Sequence, residues 1–149
     1  MMSEILPTAA GTSQRSLPEK LGLKAGMDVA FIALPESLEA LATAAPFASA
    51  TRAKDWSVDL GGPRSLDAIH AFTTHRAEVE SHLPALQDAI RRDGMIWVSW
   101  PKQASKVTTD VTEDVVRDPA LRLDLVDVKV AAVDAIWSGL KFMIRKDRR

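Results

Sequence analysis

Apolar residues along the chain fall into short, nearly continuous runs separated by segments with helical spacing, and that alternation sets the first expectation of the fold. The run Met27-Asp-Val-Ala-Phe-Ile-Ala-Leu34 reads as a strand buried on both faces of a parallel sheet, because beyond Asp28 no polar position interrupts it. Pro35, Glu36 and Ser37 follow at once and suit a first helical turn, which places Leu38, Leu41 and Ala42 on one face before Pro46 ends the helix. Residues 47–63 keep no period and predict one short strand before the Gly61-Gly62-Pro63 turn.

The same unit then recurs. Leu66–Thr73 reads as a second buried strand, and from Thr74 to Arg92 the apolar positions Val79, Leu83, Leu86 and Ile90 mark one face of a helix. Arg91 and Arg92 fit its last turn and Gly94 its end, while Pro84 predicts a kink. Met95–Trp100 is the third buried strand, closed by Pro101. After a polar loop Asp110 suits the cap of a helix running to about Leu123, with Pro119 inside it. Two strand-like runs, Val126–Val133 and Trp137–Ile144, are joined only by Asp134-Ala135-Ile136. So short a link holds no crossover helix, which makes them antiparallel neighbours. In the last run Leu140, Phe142 and Ile144 alternate with Gly139, Lys141 and Met143, so Lys141 is expected on the surface.

Strand–helix alternation followed by a hairpin predicts a three-layer, Rossmann-like α/β fold with a mostly parallel sheet and a C-terminal antiparallel hairpin. A length of 149 residues fits one such domain, placed at 16–144 between a flexible arm at 1–15 and a basic tail at 145–149. With no cysteine, disulfides, thiolate nucleophiles, iron–sulfur clusters and cysteine zinc sites are all excluded. The net charge of −1 hides an asymmetry: residues 141–149 carry +4, which leaves −5 for the rest. That tail is read as solvated and frayed. No apolar stretch has the length of a signal peptide or a membrane span, so a cytoplasmic protein is expected.

The stretch Leu66–Trp100, with an Asp-containing strand, a helix, the turn Arg-Arg-Asp-Gly and the strand Met-Ile-Trp-Val, resembles the later half of a class I methyltransferase core. That resemblance implies a closing antiparallel hairpin and a site for S-adenosylmethionine at a glycine-rich turn after the first strand. Here the turn is Ala33-Leu34-Pro35-Glu36-Ser37, and residues 45–66 are too few for the strand–helix–strand that follows in those enzymes. The chain is therefore shorter than them by about one crossover. A second resemblance covers about residues 16–144. Leu21-Gly22-Leu23-Lys24-Ala25-Gly26, Pro35-Glu36, Trp97-Val98-Ser99-Trp100-Pro101-Lys102, Thr109-Asp110-Val111-Thr112 and Val133-Asp134-Ala135-Ile136-Trp137-Ser138-Gly139-Leu140-Lys141-Phe142 look like a family of small bacterial proteins with no assigned activity. It implies a compact cytosolic Rossmann-like protein.

In open α/β sheets, ligands bind beyond the carboxyl ends of the strands. Three segments fall there: Pro35, Glu36 and Ser37; Thr73 and Thr74; and Trp100, Pro101 and Lys102, with Asp110 folding over them. Free N–H groups at the two helix starts could receive an anion and Lys102 could add a point charge. The plainer account is that Pro101 ends a strand, Thr74 and Asp110 cap helices and Lys102 is solvated. Ser37 lacks the Gly-x-Ser-x-Gly context of a nucleophile elbow. His75, Glu78 and His82 lie on one helix without a second element, so no metal is expected. His70, inside a buried strand, reads as a hydrogen-bonded core histidine rather than a base. Trp97 and Trp100 point to opposite faces of their strand, and Trp137 is expected to pack on the hairpin.

The leading expectation is a non-catalytic or regulatory Rossmann-like domain that binds a small anionic or nucleotide-like ligand, or a protein partner, with no cofactor. The alternative is a divergent S-adenosylmethionine-dependent methyltransferase, with Asp110 or Lys102 assisting. A third reading is a DNA-linked regulator that uses the basic tail, although the near-neutral balance speaks against nucleic acid, and no membrane partner is expected.

Overall fold

Six strands share one sheet in the computed structural model, which describes residues 16–149; the arm expected at 1–15 lies outside those residues. The strands are β1 (Asp28–Ile32), β2 (Ser49–Ala53), β3 (Leu66–Phe72), β4 (Ile90–Pro101), β5 (Leu125–Ala132) and β6 (Trp137–Ile144). Their order is β2-β1-β3-β4-β6-β5. The pairs among β2, β1, β3 and β4 are parallel, and β6 runs antiparallel to both β4 and β5. This is the α/β architecture that the alternating pattern predicts, terminal hairpin included.

The central strands are apolar throughout because both sheet faces are covered. Helices α2 (Arg76–Ala89) and α3 (Glu113–Leu121) cover one face, where Ile32, Ile69, Ile96, Leu140 and Phe142 are buried. The opposite face buries Val29, Phe31, Ala68, Phe72 and Trp97 with Leu21, Leu38 and Leu41, which come from the segments around the short helix α1 (Leu17–Lys20) and the stretch after β1. Trp97 and Trp100 fall on opposite faces, as their spacing requires. The indole N–H of Trp97 donates to the carbonyl of Leu21 at 2.9 Å and fastens the α1 segment over the sheet.

Four local expectations are corrected. The helix after β1 is a 3₁₀ helix, Glu36–Thr43, with a non-helical Leu38 at φ −112° and ψ 16°. The kink at Leu38 splits the segment into two short turns, and Leu38 and Leu41 are its buried residues, a narrower apolar contact than an α-helical stripe. Helix α2 ends at Ala89 and not in an Arg91–Arg92 turn. Residues 91–94 instead form an excursion within β4, between the pairings Leu66↔Ile90 and Ala68↔Met95. There Arg91 bridges Asp28 at 2.9 Å and Asp67 at 2.8 Å, and a Cβ on Gly94 would meet the carbonyls of Arg91 and Asp67 at 3.0 and 3.1 Å. Helix α3 is capped by Thr112, whose hydroxyl accepts from the Val115 N–H, and not by Asp110. The tail is not frayed: Lys146–Arg148 form a 3₁₀ turn, Arg145 and Arg148 approach Asp124 at 3.9 and 3.7 Å, and Arg149 Nε donates to the Ile144 carbonyl at 2.8 Å.

No helix among the described residues is long and apolar enough to cross a membrane. The connection from β2 to β3, residues 54–65, contains no helix. Trp56 from this connection is buried in the core on the α2 side.

Candidate functional site

The carboxyl edge of the parallel strands brings the predicted segments to one rim of the sheet, but the chain uses most of their polar groups for itself. After β3, the hydroxyl of Thr73 accepts from the His75 N–H at 2.9 Å and is also hydrogen-bonded to the Glu78 carboxylate. The Thr74 carbonyl accepts from the Thr109 hydroxyl at 2.8 Å. Asp110 places a carboxylate oxygen 2.7 Å from the Arg76 N–H, so it caps α2 from a distant loop. His75, the residue at the cap position, makes no side-chain cap bond of its own. A carboxylate at a helix start satisfies free N–H groups and meets the positive end of the dipole. The anion expected at this helix is thus a side chain of the protein.

After β4, Lys102 is equally engaged. Its N–H donates to the Ile136 carbonyl at 2.7 Å and its Nζ to the Asp134 carbonyl at 2.6 Å, which ties the end of β4 to the turn of the β5–β6 hairpin. Trp100 and Pro101 line a cleft of about 370 Å³ together with Gln103, Thr109 and Glu113. Trp137, half-buried, meets Phe72 edge-on at 5.3 Å between ring centres.

After β1 the backbone turns at Ala33, whose φ of 56° lies in the left-handed region. For a residue with a Cβ that conformation costs about 1–2 kcal/mol. Its N–H donates to the Ala53 carbonyl at 2.8 Å, closing the ends of β1 and β2 together. Leu34 and Pro35 are half-buried, while Glu36 and Ser37 are exposed. Beside this turn lies an open cleft of about 410 Å³ lined by Ala33, Leu34, Arg52, Ala53 and Lys54. Arg52 is held by a two-pronged pair with Glu39. Between this cleft and the one beyond β4, the indole N–H of Trp56 donates to the Phe72 carbonyl at 2.9 Å, laying its ring at the end of β3. The reading of the sequence missed Arg52, Lys54 and Trp56, which sit in its one aperiodic stretch.

One pair of groups imitates a catalytic dyad. His70 Nε2 lies 2.7 Å from Ser99 Oγ, but both residues are buried, and Nδ1 has no partner to orient the ring. His70 stacks on Phe72 at 4.2 Å. Burial pushes its pKa from 6.5 down to about 3, so the ring is neutral. It is the core histidine expected from its place in a buried strand.

No family model matches the sequence, and no curated protein does either. Among solved structures, a type 11 methyltransferase of Sulfolobus solfataricus, described as putative, is similar over 87% of this chain and 90% of its own, with a TM-score of 0.60 at 13% identity. The fold is that of the class I methyltransferases. An S-adenosylmethionine-dependent methyltransferase of Aquifex aeolicus matches with a TM-score of 0.57 over 86% of this chain and 87% of its own, at 12% identity. Magnesium protoporphyrin IX methyltransferase of Synechocystis, solved with bound S-adenosylmethionine, gives 0.53 over 79% and 70%, also at 12%. At such identities the likeness is one of fold.

Proposed function

We propose that this methyltransferase-fold chain binds an adenosyl ligand of the S-adenosylmethionine type in the cleft beside Ala33 and acts as a divergent methyltransferase. The observation that carries the reading is the turn after β1. Ala33 adopts the left-handed conformation that glycine supplies most readily, and alanine is the next smallest residue, so the backbone there stays open to a ligand. Ala33, Leu34 and Ala53 would form the apolar walls against a nucleoside, and the exposed Glu36 and Ser37 would meet its polar end. When bound, the cofactor would supply an activated methyl group.

A second reading rests on the end of β2. Arg52 and Lys54 stand there, and the nearby carboxylate of Glu39 is paired to Arg52. That rim suits a phosphate better than a ribose diol, which favours a non-catalytic domain that binds an anionic nucleotide. Calorimetric titration of the full chain with S-adenosylmethionine, S-adenosylhomocysteine and adenosine 5′-diphosphate separates the two. Micromolar binding of the first two, weakened by Ala33→Val, supports the methyltransferase reading. Binding of the diphosphate alone, lost in Lys54→Ala, replaces it with the second, and heat from none of the three overturns both.

A further inference from the structure

A separate feature lies on the sheet face opposite α3. Lys141 pairs in the β4–β6 ladder with Trp97, well short of the carboxyl end at Pro101. Its neighbour on the other side, directly across the β5–β6 ladder, is Lys129. Like charges directly opposite each other in a ladder are destabilising, by about 0.2–1 kcal/mol. Lys129 reaches over this face to the Lys20 carbonyl at 3.2 Å, and the loop that follows α1 brings Lys24 to the same face. Lys141 is half-buried, in contrast to the surface position expected for it.

The ion pairs among the described residues all use arginine: Arg52 with Glu39, Arg76 with Glu80, Arg91 with two aspartates, Arg117 with Glu113, Asp114 and Asp127, and Arg145 and Arg148 with Asp124. Among the described residues none of Lys24, Lys129 and Lys141 forms an ion pair. Burial, and then the nearness of Lys129 and Lys24, lowers the pKa of Lys141 below the ordinary lysine value. Two lysines placed directly across a ladder, with Lys141 half-buried, a third lysine nearby and no carboxylate on any of them, break a local rule in the way functional sites do.

We propose that Lys24, Lys129 and Lys141 form a binding site for a phosphate-bearing polyanion on this side of β5 and β6, at the edge of the α1 segment. Ammonium groups on three separate segments act as point charges, without the planar fork with which arginine grips a carboxylate. Their spread asks for more than one negative charge, as in a di- or triphosphate or a phosphodiester backbone. The site is distinct from the carboxyl edge and does not depend on the function proposed for it.

The test has two arms on the full chain: calorimetry with inorganic triphosphate, and fluorescence anisotropy with a short single-stranded RNA at low and moderate salt. Binding in the first arm alone identifies a small phosphorylated ligand, and binding of the RNA identifies a nucleic-acid backbone. Either supports the site, provided Lys129→Met/Lys141→Met weakens it about tenfold or more, the loss expected for one or two charge-assisted hydrogen bonds. Lys24→Ala, at an exposed loop position, should weaken it in the same direction without touching the core. Arg92→Ala/Arg122→Ala removes the same charge elsewhere and should leave affinity unchanged. Because the proposed site holds repulsion, the double methionine variant should also melt no lower than the wild type. Absence of binding in both arms, or equal losses in the lysine and arginine variants, overturns the proposal, as does a lower melting temperature.

Discussion

Acidification isolates His70. With a pKa of about 3 in the folded chain against 6.5 as the ordinary value, His70 takes up a proton in the unfolded state at a pH where the folded state holds none. Stability therefore falls with pH between those two values and is insensitive to this residue above about pH 7. The linkage slope approaches about 1.4 kcal/mol per pH unit for one proton. Integrated from pH 7 to pH 5, where only the unfolded histidine titrates, the loss is about 2 kcal/mol. The structural reason is that an imidazolium needs two acceptors or water, whereas His70 has only the Ser99 hydroxyl, and its Nδ1 is buried without a partner. The assay is urea denaturation followed by tryptophan fluorescence at pH 7, 6 and 5, on the wild type and His70→Gln. The wild type should lose about 2 kcal/mol more than the variant over that range, and most of the difference should appear below pH 6. Two curves that stay parallel from pH 7 to pH 5 would refute the reasoning, since they would mean that His70 is accessible to protons in the folded chain.

Trp56→Ala should cost about 3–5 kcal/mol in the same denaturation experiment, the range for emptying a buried aromatic site. Trp56→Phe should cost about 1–3 kcal/mol because the Phe72 carbonyl then loses its donor. Asp110→Ala should lower stability by about 1 kcal/mol, with most of the loss visible as faster amide exchange in the first turn of α2 rather than of α3. If α3 responds instead, the cap has been assigned to the wrong helix.

What could be read from the sequence was what periodicity carries. β1, β3 and the β5–β6 hairpin followed from apolar runs and a link too short for a helix, and the parallel order followed from their alternation with helical spacing. The start of β4 was hidden because Arg91, Arg92 and Gly94 have the composition of a helix end. A contact far away in sequence decides otherwise: Arg91 leaves the helix to hold Asp28 and Asp67. Trp56 was invisible for another reason, since a single anchor in an aperiodic connection has no pattern to announce it. Lys129 and Lys141 each read as one polar position on a strand, and only the ladder register sets them opposite each other.

The carboxyl edge illustrates the same limit and its use. Switch-point logic named three segments, and residue types alone gave Asp110 the chemistry of a cap. The helix it caps lies 34 residues back in the chain, at Arg76, which no local signal specifies. That contact, with the Thr73 bonds and the two carbonyls held by Lys102, occupies the polar groups at the ends of β3 and β4. A ligand there would have to displace short hydrogen bonds of the protein, each with a net worth of about 0.5–1.5 kcal/mol, or more where a charge takes part. The end of β1 carries no such closure. Its cleft is open, two of its walls are the small Ala33 and Ala53, and the strained Ala33 gives its N–H to Ala53. The strand end without the expected glycine therefore pairs an open cleft with few internally engaged polar groups, and substitutions at Ala33 and Lys54 should report on binding where Asp110→Ala and Lys102→Ala report chiefly on folding.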